Sequence, residues 1–227
     1  MHPVALAEQV ALLDQLSGGR FHLGVGRGGP WVDLEVFGAG GEWFRFREVP
    51  VVPRPRARPH PPVAVACTSA ATVELAATRG LPMLVGLHID ADEKADLVAH
   101  YAKAARATGR DPDGVAHVAA VVAQVADDHD EARSAIRGPM TRWLIDGLAA
   151  HVPLDGHPRP AREPAAYVDR LLAIHAVGSP QQCIDRLHAH AERTGIRHVI
   201  LLVEGSGDRD HTLENIARLG EEVLPHL

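Results

Sequence analysis

Helical and strand-like patterns of apolar residues alternate along this chain. From Pro3 to Leu16 the apolar residues recur at helical spacing, and the residues Ser17 to Gly19 then form a predicted turn. The next segment, Phe21–Val25, is a short apolar run beside glycines, which is typical of a buried strand in a parallel sheet. A helix followed by a strand is half of a βαβ unit.

The same alternation continues to the end of the chain. The further predicted strands are Val63–Cys67, Pro82–Gly86, Val115–Val125 and His198–Gly205. The further predicted helices are Ala70–Arg79 before Gly80, Asp92–Ala107, Asp130–Ala150 with an interruption at Gly138 and Pro139, Ala165–Ala176, Pro180–Arg193 after the N-cap Ser179, and Thr212–Val223. Five strands alternating with helices predict one α/β domain over residues 1–227, with a mostly parallel sheet and flanking helices.

Two segments show little periodicity and are interpreted as connections. Gly26–Arg58 is rich in glycine, proline and arginine, and only Trp43–Arg47 within it is expected to be extended. A connection of this length inside a compact domain is either functional or a sign that regular elements are missing. Pro153–Pro164 is a second, proline-rich loop.

Composition excludes several classes of function. The chain is 46% hydrophobic and 23% charged with a mean hydropathy of -0.06, as in ordinary globular proteins. Its formal net charge of -6, with both signs interspersed, provides no basic surface for nucleic acid. The two cysteines, Cys67 and Cys183, lack metal-ligand spacing, and none of the 15 histidines forms an HExxH motif, so no metal is expected. Neither a leader pattern nor a run of about 18 apolar residues occurs, so we expect a cytoplasmic protein without membrane spans.

The first candidate site follows the first predicted strand, in the glycine-rich segment from Gly24 to Gly29. Gly26 allows the backbone to approach an anion, and the Arg27 guanidinium can pair with two phosphate oxygens. The GxGxxG spacing is present, but no helix follows directly, which disfavours a dinucleotide-binding fold. The alternative is that Arg27 is an ordinary surface arginine.

The second candidate site lies between a predicted strand and helix, at Thr68, Ser69 and Thr72. With Ser69 as the N-cap, Thr72 occupies the third helical position, and the free N–H groups of the first turn point the same way as the hydroxyls. That arrangement suits an anion, although simple helix capping remains the alternative. Both candidates follow the carboxyl ends of strands, where α/β folds bind ligands.

These segments carry a resemblance to a known family. LAEQVALLDQLSGGRFHLGVGRGG at Leu6–Gly29, DLEVFG at Asp33–Gly38, and PVVPRPRARPHPPVAVACTSAATVELAATRGLPML at Pro50–Leu84 resemble the luciferase-like flavin-dependent oxidoreductases. A weaker similarity, including GSPQQCIDRL at Gly178–Leu187, extends it over the whole chain.

The resemblance implies a phosphate site and a reaction. Arg27, Ser69 and Thr72, with Gly26 and Thr68 beside them, match the residues that bind the phosphate of reduced FMN, or of a deazaflavin in some members. It implies a monooxygenase that uses dioxygen on an aldehyde, ketone or other organic substrate and is supplied by a separate flavin reductase.

The resemblance also implies an incomplete (β/α) TIM-type barrel. Family members usually begin with about three further strand–helix units, and the luciferase histidine they carry has no counterpart here, so the catalytic residues stay unknown. A homodimer or heterodimer is expected to complete the barrel, and His151–Pro164 corresponds to a mobile lid or is a plain loop. The alternatives are a non-catalytic flavin-binding protein and a supporting subunit of a heterodimer.

Overall fold

The computed structural model describes residues 3–25, 50, 52–58, 60–149 and 163–227. The predicted extended piece at Trp43–Arg47 and most of the predicted Pro153–Pro164 loop lie outside these residues. The described helices are α1 (Pro3–Leu16), α2 (Ala70–Arg79), α3 (Ala91–Ala107), α4 (His129–Ala149), α5 (Pro164–Ile174), α6 (Pro180–Thr194) and α7 (Arg209–Arg218). The described strands are β1 (Leu23–Val25), β2 (Val63–Cys67), β3 (Met83–Val85), β4 (Val118–Val125), β5 (Ala176–Gly178) and β6 (His198–Leu202).

All described strand pairs are parallel, which confirms the predicted sheet. The main path runs β1-β2-β3-β4, and β4 pairs with both β5 and β6. Val25 pairs with Val65 and Cys67 pairs with Val85, so successive strands end near one another. Because the strands are parallel, the residues that follow them lie along one side of the sheet, here called the carboxyl edge.

The two faces of the sheet differ in burial. Val65, Cys67 and Val85 face the helices and belong to a core with buried residues of α2 and α3. On the opposite face, Ile200 of β6 is 51% exposed. Strands β1 and β6 approach each other at their amino-terminal ends. There the rings of His22, which precedes β1, and His198, which begins β6, lie edge to face with centroids 6.4 Å apart. Within the described residues the sheet is strongly curved but not closed by backbone pairing.

Helix α4 packs against the carboxyl-edge end of that second face. Its residues Ile136 and Met140 share a core cluster with Val122 of β4 and Leu202 of β6. The predicted interruption of this helix at Gly138 and Pro139 is wrong, since α4 continues through Pro139. Contacts on both sides of the proline hold the helix in place and offset the hydrogen bond that a proline removes.

The segment around β5 also differs from the prediction. Five strands were expected and six are described, because Ala176–Gly178 forms a strand that begins at the last residue of the predicted helix Ala165–Ala176. The helix ends at Ile174, and His175 is extended with its Nε2 atom 2.6 Å from the Leu87 carbonyl oxygen. The last helix begins at Arg209, earlier than predicted, and continues as a π-helical turn over Leu219–Val223. None of the described helices is long and apolar enough to cross a membrane.

Candidate functional site

Three of the five candidate residues, Thr68, Ser69 and Thr72, lie together at the carboxyl edge. Thr68 and Ser69 follow β2 and are exposed, and Thr72 is half-buried in the first turn of α2. Helix α2 itself begins and ends as predicted, with Ser69 as N-cap and Gly80 in the left-handed conformation at its end. The structure thus places Thr68, Ser69 and Thr72 in one turn.

Thr72 organises this turn through its side chain. Its Oγ1 atom donates to the Ser69 carbonyl oxygen at 2.8 Å and accepts the backbone N–H groups of Ser69 at 3.1 Å and Thr68 at 3.2 Å. Its single hydroxyl hydrogen is therefore committed to the backbone. Thr72 fixes the shape of the turn and has no further proton to donate to a ligand in this arrangement.

Ser69 is less committed. Its Oγ atom accepts the Thr72 N–H at 3.4 Å, near the upper limit for a hydrogen bond, and lies 3.2 Å from Thr72 Oγ1. The side chain is exposed, and the first N–H groups of α2 have no acceptor within the helix. An exposed hydroxyl beside a helix N-terminus fits a phosphate group, because both the N–H groups and the helix dipole favour an anion there.

A second N-terminal serine provides a comparison. Ser179 caps α6 with the same reciprocal pattern, but its partner at the third helical position is Gln182 instead of a threonine. The Gln182 Oε1 atom accepts the Ser179 N–H at 2.9 Å, so a long amide side chain folds over this turn. The partner at α2 is the shorter threonine, and Ser69 is exposed whereas Ser179 is half-buried.

Gly26 and Arg27 lie outside the described residues. The last described residue before them is Val25 of β1. It pairs with Val65 of β2, which lies three residues before Thr68. The two candidate segments therefore start from neighbouring strands at the same edge of the sheet.

Cys67, the last residue of β2, belongs to the core. It is 1% exposed, and its thiol contacts the carbonyl oxygens of Val65 and Thr72 at 3.3 and 3.4 Å. Burial raises the pKa of the Cys67 thiol to about 11, against a smaller lowering effect from Thr72. This cysteine packs beneath the turn, and its raised pKa keeps it as the thiol at neutral pH, which is a much weaker nucleophile than the thiolate.

Two other parts of the edge were missed by the sequence analysis. His88 lies in the turn after β3, and its ring is so close to Gly86 that a Cβ atom there would approach it to 2.6 Å. On α4, Trp143 is 69% exposed while Met140, three residues earlier, is buried against the end of β6. A histidine between a strand and a helix was a usable signal, whereas the α4 contacts depend on tertiary packing.

Several buried or half-buried titratable groups lie outside the turn of Ser69 and Thr72. The Lys94 ammonium donates to the Ala120 carbonyl oxygen at 3.1 Å, and burial lowers its pKa to about 8. Burial also lowers the pKa values of His175 and His190 to about 4, so both rings are neutral near pH 7. Across the described ranges, no three His, Cys, Asp or Glu side chains are grouped as metal ligands.

Comparison with known sequences identifies related proteins. The family model for luciferase-like monooxygenases matches residues 1–48 and 39–198. The alpha chain of alkanal monooxygenase from Photorhabdus luminescens is 27% identical over 274 residues, which covers 100% of this chain and 75% of that relative. The similarity therefore includes both candidate segments and the strands that precede them.

Comparison with solved structures shows the same fold. Monooxygenase RslO1 from Streptomyces bottropensis matches with a TM-score of 0.80 and 23% identity, covering 100% of this chain and 74% of that one. The oxygenating constituent of 3,6-diketocamphane monooxygenase from the CAM plasmid of Pseudomonas putida, solved in complex with FMN, matches with a TM-score of 0.73 and 20% identity, covering 100% and 76%. The expected incomplete (β/α) TIM-type barrel with parallel strands and flanking helices is confirmed.

Proposed function

The chain belongs to the luciferase-like monooxygenase family, and from that premise we propose that it binds reduced FMN at the carboxyl edge and oxygenates an organic substrate with dioxygen. The observation that carries the proposal is the exposed Ser69 hydroxyl at the N-terminus of α2, in the turn beside β1. A deazaflavin is the alternative cofactor, and because its tail also carries a phosphate, the same anchor suits it.

We assign different roles to the residues of the phosphate anchor. Ser69 donates its hydroxyl hydrogen to a phosphate oxygen, and the first N–H groups of α2 and the hydroxyl of Thr68, the preceding residue, complete the proposed anchor. Thr72 holds the turn in shape through its three backbone contacts. Gly26 and Arg27, proposed from the sequence, supply close backbone approach and a guanidinium.

The protein and the cofactor contribute separately to the reaction. Reduced flavin, when bound, supplies the two electrons with which dioxygen is activated. Helix α4 packs against β4 and β6 near their carboxyl ends, and we propose that it helps to exclude water from the reacting groups. The catalytic residues stay unassigned, and we propose that a separate flavin reductase delivers the reduced cofactor.

We also propose an oligomeric assembly and a cellular compartment for this chain. The outer edges of β1 and β6 lack strand partners among the described residues, and we propose that a homodimer or heterodimer covers them. The two buried cysteines are free thiols, which favours the reducing cytoplasm. A mass in solution equal to a single chain would contradict the proposed assembly.

The phosphate anchor is tested by comparing the affinities for FMN and riboflavin, which differ only by the phosphate. We expect FMN to bind about 10- to 100-fold more tightly, since charge-assisted hydrogen bonds contribute about 1.5–3 kcal/mol. Ser69→Ala is expected to weaken FMN binding about tenfold and to leave riboflavin binding nearly unchanged.

The matched control is Ser179→Ala, which removes an N-cap of the same type from α6. Both variants are expected to lose about 1 kcal/mol of stability, but only Ser69→Ala should lose FMN affinity. Equal affinities for FMN and riboflavin, or equal effects of the two serine variants on FMN binding, would contradict the assignment. Tight FMN binding without any oxygenated product would instead indicate a non-catalytic flavin-binding protein or a supporting subunit.

A further inference from the structure

A second pocket opens on the side of the sheet where the strands begin, opposite the carboxyl edge. Its volume is about 470 Å³, within the range of about 300–1,000 Å³ that is usual for small-molecule sites. We call it the amino-edge pocket, and it lies between the second half of α3, the loop before β4 and the loop between α6 and β6. Its lining includes Val98 and Tyr101 of α3, Val115 and His117 before β4, and Thr194 and Arg197 before β6.

One wall of this pocket contains a buried phenol without a hydrogen-bond partner. Tyr101 is 0% exposed, and its hydroxyl has no partner within the described part of the chain. Buried hydroxyl groups are nearly always hydrogen-bonded, so the Tyr101 hydroxyl is available to a ligand. Burial raises the pKa of Tyr101, against a lowering effect from the Arg110 guanidinium, and the phenol therefore stays protonated and can donate at neutral pH.

His117 offers a second donor to the same pocket. Its ring packs edge to face against the Tyr101 ring, with centroids 4.4 Å apart. The Met83 N–H donates to His117 Nδ1 at 3.1 Å, so the neutral ring carries its hydrogen on Nε2. Burial lowers the pKa of His117 to about 4, which keeps the ring neutral near pH 7. The Nε2–H group has no acceptor in the described ranges, and the ring lines the pocket.

The charges around these two donors favour a negatively charged ligand. Arg197 is exposed and lines the pocket, and Arg110 lies close enough to Tyr101 to affect its pKa. The acidic residue in the lining, Asp113, is exposed, and its Oδ1 atom lies 3.9 Å from the Arg106 guanidinium, which offsets its charge. Two neutral donors with cations beside them suit a carboxylate, since hydrogen bonds to a charged acceptor are about twice as strong as neutral ones.

We propose that the amino-edge pocket binds a small organic carboxylate, whose oxygens accept hydrogen bonds from the Tyr101 hydroxyl and the His117 Nε2–H. Contact with the fully covered Tyr101 hydroxyl requires a small side-chain rearrangement, which commonly accompanies binding. The site lies on the opposite side of the sheet from the phosphate anchor, and the inference does not depend on the proposed function.

The remaining walls determine the body of the ligand. The apolar lining residues Val98, Ala102 and Val115 suit a hydrocarbon group. A cavity of about 150 Å³ holds one benzene molecule, so a pocket of this volume has room for a fused two-ring body beside the carboxylate. We therefore expect aromatic acids to bind more tightly than short hydrophilic ones.

The test compares 2-naphthoate with 2-naphthamide, which has nearly the same shape and no charge. Binding to the whole protein is measured by isothermal titration calorimetry in the absence of flavin. We expect naphthoate to bind about tenfold more tightly than naphthamide, because its oxygens form charge-assisted hydrogen bonds. Acetate, which lacks the apolar body, should bind at least about tenfold more weakly than naphthoate.

Tyr101→Phe removes only the unpartnered hydroxyl. Naphthoate binding should weaken about fivefold, whereas the free energy of unfolding should stay the same or rise, because an unsatisfied buried group is lost. The matched control is Tyr167→Phe, at a half-buried tyrosine on α5, which should leave naphthoate affinity unchanged. A purely structural role for Tyr101 would leave naphthoate affinity unchanged in both variants and would contradict the proposal.

Arg197→Met tests the contribution of charge at an exposed residue, where loss of folding is not expected. Naphthoate affinity should fall about threefold, while naphthamide affinity should stay within about twofold of the parent. Equal effects on the two probes would contradict a charged ligand in this pocket.

A final titration separates this pocket from the carboxyl edge. Naphthoate affinity should be the same with and without saturating FMN, because the two sites lie on opposite sides of the sheet. Failure of naphthoate to bind, equal affinities for naphthoate and naphthamide, or competition between naphthoate and FMN would overturn the inference. Circular dichroism of each variant establishes that the fold is retained.

Discussion

Asn215 on α7 joins the helix to two parts of the carboxyl edge, and its removal should be strongly destabilising. The side chain is 1% exposed, and its Oδ1 atom accepts the Val125 N–H at 2.9 Å. Its Nδ2 atom donates to the carbonyl oxygens of Ala123 at 2.9 Å and Val203 at 3.0 Å. One side chain thus satisfies three backbone groups at the ends of β4 and β6.

The expected magnitude follows from these three hydrogen bonds. In Asn215→Ala, one N–H and two carbonyl groups lose a buried partner, at about 1–3 kcal/mol for each group left unsatisfied. Allowing for partial access of water to the cavity, we expect a loss of about 3–5 kcal/mol in the free energy of unfolding. Asn215→Asp retains the acceptor for Val125 but turns a carboxylate oxygen toward two carbonyl oxygens, so it should also be destabilising, less so at low pH.

The assay is urea denaturation followed by circular dichroism, with both midpoint and slope compared. The control is Glu214→Ala, at an exposed residue on the same helix, which should change stability by no more than about 0.5 kcal/mol. A loss below about 1 kcal/mol in Asn215→Ala with an unchanged slope would refute this interpretation of the hydrogen bonds.

Three further predictions concern the packing of α4, pH and thiol reactivity. Gly205→Ala should cost about 1–3 kcal/mol by displacing α4, whereas Gly147→Ala, where a Cβ meets nothing within 4 Å, should stabilise the helix by up to about 1 kcal/mol; urea denaturation measures both. Burial lowers the pKa values of His117, His175 and His190 to about 4, from 6.5, so the contribution of these three groups to stability should be complete above pH 6.5 and decrease toward pH 4 by about 1.4 kcal/mol per pH unit for each histidine; His175→Gln should reduce that slope. The Cys67 thiol should react with a disulfide reagent only after denaturant is added, and fast labelling of the native protein would contradict its assignment to the core.

Local signals were sufficient for much of the fold. α2 was predicted with both ends correct, because its N-cap Ser69 and its left-handed Gly80 are features of local backbone geometry. β5 was missed because Ala176 and Val177 are equally compatible with a helix, and only their pairing with β4 makes them a strand. The continuation of α4 through Pro139 likewise depends on contacts with β6, which no local pattern reveals.

The candidate site likewise contains some residues that local sequence predicts and others that only the tertiary structure brings to it. Thr68, Ser69 and Thr72 could be proposed from the sequence because a strand, a hydroxyl cap and a helix follow one another there. The different roles of the two hydroxyl groups required geometry, since only the contacts of Thr72 show that its hydrogen is already committed. Met140 and Trp143 were missed because they reach the edge from a helix that lies far along the chain from β2.

A single turnover of the protein with reduced FMN and heavy-isotope dioxygen distinguishes oxygenation of a substrate from simple oxidation of the flavin. Benzaldehyde, octanal and cyclohexanone serve as neutral probes, and mass spectrometry follows the label. For a monooxygenase, one labelled oxygen atom should appear in an oxygenated product and the other in water. Ser69→Ala should lower the yield at limiting FMN, while Ser179→Ala should not. Oxidation of the bound FMN to give only hydrogen peroxide, with no label in any product, would contradict the proposed monooxygenase activity.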